Sequence, residues 1–157
     1  MDMQPCGCLP LKVYPEEGDK LVLCPSYIFP IEVFERGILT RLRYLYQTVL
    51  VNAYDGRSEL IDLISVEPDA VFDFSSFAAE RLETKITRYA AAECAKYDAV
   101  PKQSKGWRSV ILNRNVAVCD DRAKLVWRIY FARGSEMVDT FTGESIRSAG
   151  LLGMLFS

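Results

Sequence analysis

The sequence offers thiols, carboxylates and tyrosines for chemistry, but none of its 157 residues is a histidine. That excludes Ser-His-Asp and Cys-His catalysis, histidine-ligated zinc and the commonest general base near neutral pH. A nucleophilic cysteine would need another neighbouring base, or a helix N-terminus, to lower its pKa. We therefore predict a protein that is not an enzyme and that has no cofactor.

The five cysteines are scattered through the chain as Cys6, Cys8, Cys24, Cys94 and Cys119. Cys6-Gly7-Cys8 with Cys24 supplies three thiolates, whereas a structural zinc site takes four ligands. We favour unligated thiols in the lead-in over a metal site. Cys94 and Cys119 are interpreted as small buried hydrophobic side chains, as free cysteines usually are.

Carboxylates lie near predicted loops at Asp120-Asp121, Asp139 and Glu144. Such groups can do acid–base work or bind a cation, but no calcium-loop spacing is present. Asp139 is better explained as an Asx turn residue whose turn needs Gly143 in the left-handed conformation. Together with Gly56 in a similar segment, these two residues are predicted to be structural turn residues.

Hydrophobic patterning predicts one α+β domain over residues 1–157, a curled antiparallel sheet packed on one long helix. The alternative is two such sheets related by an internal repeat. The predicted order is an extended surface lead-in (1–19), N-terminal strands (20–66), the helix (74–98), C-terminal strands (107–147) and an apolar tail (148–157).

Two local features refine this order. The helix is predicted from an apolar stripe that includes Leu82, Ile86 and Cys94, with Ser75 or Ser76 as its N-cap. Pro30 has no amide proton, so its strand is predicted to lie at a sheet edge or to carry a bulge.

An internal repeat links two strand-turn-strand stretches of the sequence. Residues 51–58 (VNAYDGRS) match residues 138–145 (VDTFTGES) at Val, Gly and Ser, and residues 31–37 match residues 128–134 at Phe, Arg and Gly. A duplication and the limited chemistry of hairpin turns are both open explanations.

The stretch Leu125-Val126-Trp127-Arg128-Ile129, followed by Val138-Asp139-Thr140-Phe141-Thr142-Gly143-Glu144, resembles the PepSY family and the propeptide domains of thermolysin-like peptidases. The resemblance covers about a quarter of the chain. It implies a cystatin-like or PepSY-like roll, with one helix across an antiparallel sheet. It also implies a role in regulating peptidases or in assisting folding.

The sequence favours a protein-binding or regulatory domain whose partner is another protein or a second copy of the chain. Possible partner-binding residues are Trp107 and the apolar side chains of the tail, which are Leu151, Leu152, Met154, Leu155 and Phe156. Two alternatives remain, a small-molecule pocket between helix and sheet and, more weakly, nucleic-acid binding through the basic segment 102–124. With no apolar leader or membrane-length run and a net charge of −2, we expect a cytoplasmic location and no membrane partner.

Overall fold

The computed structural model describes residues 5–37, 43–61, 72–98, 111–118 and 122–147. These residues form a strongly curled, mainly antiparallel sheet and one helix, which makes the fold α+β. The elements in chain order are β1 (Lys20–Gly37), β2 (Arg43–Asn52), β3 (Ser58–Ile61), β4 (Ala79–Arg81), α1 (Arg88–Asp98), β5 (Ile111–Val118), β6 (Lys124–Arg133), β7 (Glu136–Asp139) and β8 (Ser145–Arg147).

β1 organises the sheet because it pairs with four other strands. The strand order is β3-β2-β1-β6-β7-β8, with β4 and β5 also paired to β1. On one side β1 pairs with β4 and then with β2; on the other it pairs with β6 up to Ile28 and with β5 from Ile31 onward. One 18-residue strand therefore changes partner along its length on both sides.

The prediction that Pro30 marks an edge strand or a bulge is wrong, because β1 is central and runs unbroken through Pro25 and Pro30. Backbone groups of successive strand residues point to alternate sides. The Pro25 carbonyl accepts a hydrogen bond from Ala53 N (2.8 Å), so Pro25 faces the β2 side, where pairing begins only at Ser26. Pro30 faces the opposite side, between the last residue paired to β6 and the first paired to β5. Neither position requires an amide proton.

The predicted helix 74–98 is too long, since α1 begins at Arg88. Thr87 caps it, with its Oγ1 accepting from Ala90 N (3.2 Å), while Ser75 instead lies in a turn in which its N–H donates to Asp73 Oδ1 (3.0 Å). Leu82 belongs to a segment that follows β4, and its N–H donates to Leu23 O (2.9 Å). An extended segment and a helix both bury residues four apart, so the sequence stripe did not separate them.

Two six-residue turns, 52–57 and 139–144, have the same hydrogen bonds. In each turn, the N–H of the first residue donates to the carbonyl of the sixth residue (2.7 and 2.9 Å). The N–H of the fifth residue donates to the carbonyl of the first (2.8 Å in both). Oδ1 of the first residue accepts from the third N–H (2.8 and 3.0 Å). The fifth residues, Gly56 and Gly143, have φ of +81° and +80°. The second half of the sequence repeat is therefore one turn formed twice.

The first half of the sequence repeat, which matches residues 31–37 to residues 128–134, does not correspond to the structural equivalence set by the two turns. Val51 pairs with Tyr27, whereas its counterpart Val138 pairs with Phe131. Tyr27 is therefore the structural counterpart of Phe131, and the alignment of Phe34 with Phe131 is wrong. The hairpins differ in arm length, which sequence matching at their Arg-Gly segments cannot detect.

A pseudo-two-fold axis relates the three-stranded units β1-β2-β3 and β6-β7-β8. Ala53 N, after the first turn residue, donates to Pro25 O, and Thr140 N donates to Ile129 O in the same way. Pro25 and Ile129 are thus equivalent. Because β1 and β6 pair in antiparallel register, the opposed residues Cys24 and Arg128 lie on the axis.

Two extended segments, here called straps, complete the symmetry: strap A (6–13) and strap B (79–86). Leu9 N donates to Trp127 O and Leu82 N donates to Leu23 O, at 2.9 Å in both cases. Thr140 O accepts from the N–H groups of Lys12 and Val13, and Ala53 O accepts from those of Lys85 and Ile86 (2.7, 3.3, 2.8 and 2.9 Å). The prediction that the lead-in lies on the surface is wrong at Cys8 and Leu9 of strap A, which are each only 2% exposed.

The sheet buries apolar side chains on both faces. On one face, Ala91, Ala92 and Ala95 of α1 pack on Tyr27, Phe29, Ile31 and Val33 of β1, and small alanines allow this close approach. On the other face, the straps supply Leu9 to a cluster with Val126 and Leu82 to a cluster with Val22. Each strap therefore contributes a buried leucine to the apolar core.

Candidate functional site

A cluster of polar side chains, here called the polar centre, lies at the pseudo-two-fold axis on the strap-covered face. It is formed by Cys24 of β1, Asn52 at the end of β2, Glu59 of β3, Arg128 of β6 and Asp139 at the end of β7. The pairing register of the sheet sets this arrangement. It places Asn52 and Asp139, the first residues of the two turns, next to the axis residues Cys24 and Arg128, respectively. The polar centre lies beside the apolar cluster that contains Val22 and Leu82.

Arg128 is the cation of the polar centre, and its side chain is only 13% exposed. Its Nε donates to Asp139 Oδ2 (3.1 Å), its Nη2 donates to the same oxygen, and its Nη1 contacts Glu59 Oε1. The guanidinium also lies 5.5 Å from the ring centroid of Phe141 and 5.8 Å from that of Tyr130. A buried cation needs such compensation, since an uncompensated one is costly.

The other half of the polar centre is uncharged. Cys24 Sγ donates to Asn52 Oδ1 (3.3 Å), which is the symmetry counterpart of the Arg128–Asp139 contact. Burial, followed by the charge of Asp55, raises the pKa of the Cys24 thiol to about 12. Burial also raises the pKa of the Tyr130 hydroxyl. Both groups are protonated at neutral pH, so neither is poised as a nucleophile or base.

A second surface, here called the aromatic patch, consists of Tyr14, Phe72, Phe74 and Phe77. Tyr14 is 64% exposed, and its ring centroid is 6.2 Å from that of Phe72, which is 5.9 Å from that of Phe77. The Arg81 guanidinium lies 5.5 Å from the Phe74 centroid. The three phenylalanines are half-buried against a core cluster that contains Leu21 and Phe131, which holds the patch in place.

The structure separates most of the residues singled out in the sequence. Gly56, Asp139 and Gly143 lie in the two turns, and Asp139 Oδ1 accepts from Phe141 N at 3.0 Å. Cys8 and Cys24 pack in different core clusters. Cys6 is exposed and Cys94 is partly buried. Nine other candidates lie outside the described residues, namely Trp107, Cys119, Asp120, Asp121, Leu151, Leu152, Met154, Leu155 and Phe156.

Sequence reasoning missed the pairing role of Arg128 and the aromatic patch. A signal for Arg128 was present, since a cation in the middle of the apolar run LVWRIYF must find a carboxylate if the strand is buried. The patch had a weaker signal in the phenylalanines of FDFSSF (72–77), which were obscured by the predicted helix.

Comparison with protein-family models, curated proteins and solved structures found no match to this chain. Within the described ranges, no three side chains of His, Cys, Asp or Glu are grouped to hold a metal ion. The one helix of those ranges is too short to cross a membrane.

Proposed function

We propose that this chain is a non-enzymatic protein-binding or regulatory domain that contacts its partner through the aromatic patch. The observation that carries the proposal is the exposed ring of Tyr14 beside Phe72, one of three half-buried phenylalanines that pack against the core. Aromatic side chains held in place by a packed layer below them lose little conformational entropy on binding, and such residues often dominate interface energies.

The chemistry of the polar centre supports a role without catalysis. The Arg128 guanidinium is engaged by two carboxylates, and the Cys24 thiol is protonated at neutral pH. These groups hold two strands and two turns together. They offer no activated group to a substrate.

Position-specific photocrosslinking tests the binding role. A benzophenone amino acid placed at Tyr14 is expected to form adducts, and the same residue placed at Tyr89, which is 76% exposed on α1, serves as the control. Adduct formation at position 14 should be competed by excess wild-type chain and not by a Tyr14→Ser/Phe72→Ser variant. An adduct of twice the chain's mass identifies a second copy as the partner. Equal yields at both positions, or no adduct at either, would contradict the proposal.

The finer fold and location are also part of this proposal. We propose a PepSY-like roll, which is supported by the packing of α1 on one face of the curled sheet. A cytoplasmic location is supported by the free thiols of Cys6, Cys8, Cys24 and Cys94.

Two alternative functions stay predictions. A small-molecule pocket between helix and sheet would have to form beside the alanines of α1 that contact β1. Nucleic-acid binding through residues 102–124 concerns a segment of which only 111–118 and 122–124 are described. No contact among the described residues favours either function over protein binding.

A further inference from the structure

We propose that strap A of one chain can occupy the equivalent groove of a second copy, giving a dimer that exchanges residues 6–13. The groove lies beside residues 125–127 of β6. These residues pair with β1 on one side, and on the other side β7 does not reach them because it pairs only with residues 130–133. Strap A fills the vacant side through Cys6 N to Leu125 O (3.0 Å), Trp127 N to Gly7 O (2.8 Å) and Leu9 N to Trp127 O (2.9 Å).

The second strap shows what the groove recognises. Strap A reads CGCLPLKV and strap B reads AERLETKI, so the two share Leu, Lys and a β-branched residue at the same spacing. Leu9 and Leu82 are both buried, at 2% and 6% exposure. A Cβ added to Gly143 would lie 3.3 Å from Val13, and one added to Gly56 would lie 2.8 Å from Ile86. Each groove thus takes the pattern Leu-x-x-Lys-Val/Ile against its turn glycine.

The connections of the straps differ, although their bonds are the same. Strap A precedes β1 and binds β6 of the other unit, whereas strap B binds β1. Strap binding therefore depends on the segment and the groove, not on one particular linker. A second copy supplies the same segment, and exchange reproduces each contact of the closed chain.

A turn at residues 16–19, here called the reversal, lies between strap A and β1 and folds strap A back onto its own chain. Asp19 N donates to Glu16 O (3.0 Å), Glu16 N donates to Asp19 Oδ2 (2.7 Å), and Gly18 has φ of +92°. A short linker of this kind gives an effective concentration of the order of mM, which favours the closed chain in dilute solution. Weakening the reversal should favour exchange. This inference goes beyond the proposed function and does not depend on the aromatic patch.

Substitution at Gly18 provides the test in the full chain. Proline fixes φ near −65° and cannot adopt the observed conformation, whereas asparagine tolerates it, and no atom lies within 4 Å of the added Cβ. By light scattering and sedimentation at about 100 μM, wild type and Gly18→Asn should be monomers. Gly18→Pro should dimerise with a dissociation constant at least about 100-fold lower.

The control removes the strap contact itself. Adding Leu9→Asp to Gly18→Pro places a carboxylate in the apolar cluster and should restore the monomer. A folded Gly18→Pro monomer, or a dimer that persists with Leu9→Asp, overturns the proposal. If Gly18→Pro does not fold, wild type refolded at about 1 mM should contain dimer that is absent after refolding at about 10 μM. In that case, a monomer at both concentrations overturns it.

Discussion

Replacement of Asp139 by asparagine isolates the charge pair at the polar centre from the turn that contains it. Asn52 occupies the equivalent position in the first turn and makes the same bond to the backbone. Asp139→Asn should therefore keep the turn and remove only the carboxylate that faces Arg128. Breaking a buried pair costs about 3–5 kcal/mol. Because Glu59 still contacts Arg128, we expect the lower end, about 3 kcal/mol.

Urea unfolding followed by circular dichroism measures this change. The midpoint should fall while the slope with denaturant stays constant, because the surface exposed on unfolding is unchanged. For a chain of this size, about 3 kcal/mol corresponds to a fall in melting temperature of about 6–12 °C.

Two further variants separate charge from turn geometry. Asp139→Ala loses the bond to Phe141 N as well and should cost about 1 kcal/mol more than Asp139→Asn. Arg128→Met/Asp139→Asn removes both charges and should recover most of the lost stability, because no uncompensated buried cation remains. An Asp139→Asn protein within about 0.5 kcal/mol of wild type would refute the assignment of Arg128–Asp139 as a stabilising buried pair.

Three other outcomes follow from the described contacts. Gly56→Ala should lower the free energy of unfolding by about 1–3 kcal/mol, which is more than Gly134→Ala should cost. Both glycines have positive φ, but of the two only Gly56 has a side chain 2.8 Å from an added Cβ. Equal urea midpoints for the two variants would contradict this. In the native protein at pH 8, Cys6 should react quickly with a thiol reagent and Cys24 only on unfolding, as checked by peptide mass mapping; equal native rates would contradict the burial of Cys24. A hydrogen bond from Arg133 lowers the pKa of Asp19 below the ordinary aspartate value of about 3.8. The ionised Asp19 therefore stabilises the fold above this value, and the stabilisation is lost as the pH falls through the lowered pKa. The stability difference between wild type and Asp19→Asn should therefore shrink between pH 5 and pH 2 in urea titrations, and a constant difference would exclude this contribution.

The turns could be predicted because their information is local. An Asx residue with a glycine four positions later favours this six-residue turn, because the Asx side chain bonds the local backbone and glycine adopts the positive φ. The repeat at 51–58 and 138–145 therefore had a direct structural meaning. The extended hairpin arms depend on pairing between distant residues, and the match at residues 31–37 did not predict their register.

The straps and the polar centre could not be read from local pattern. Leu82 and Ile86 have a spacing that fits a helix, but they fold as an extended segment because β1 offers its backbone groups to β4. Likewise, Cys24 and Arg128 become neighbours only when β1 and β6 pair in one register. Long-range pairing thus decides the chemistry of the site.

The docking of strap A on β6 has a consequence for biosynthesis. Gly7 accepts its hydrogen bond from Trp127, which is added to the growing chain 120 residues later. At translation rates of about 5–20 residues per second, the part of β6 that binds strap A is synthesised roughly 6–24 s after strap A. Strap B follows the opposite schedule, since β1 has already been made when Leu82 is added. The two symmetric contacts are therefore separated in time, and the nascent chain exposes Leu9 throughout this interval, a period in which binding by a chaperone would protect it.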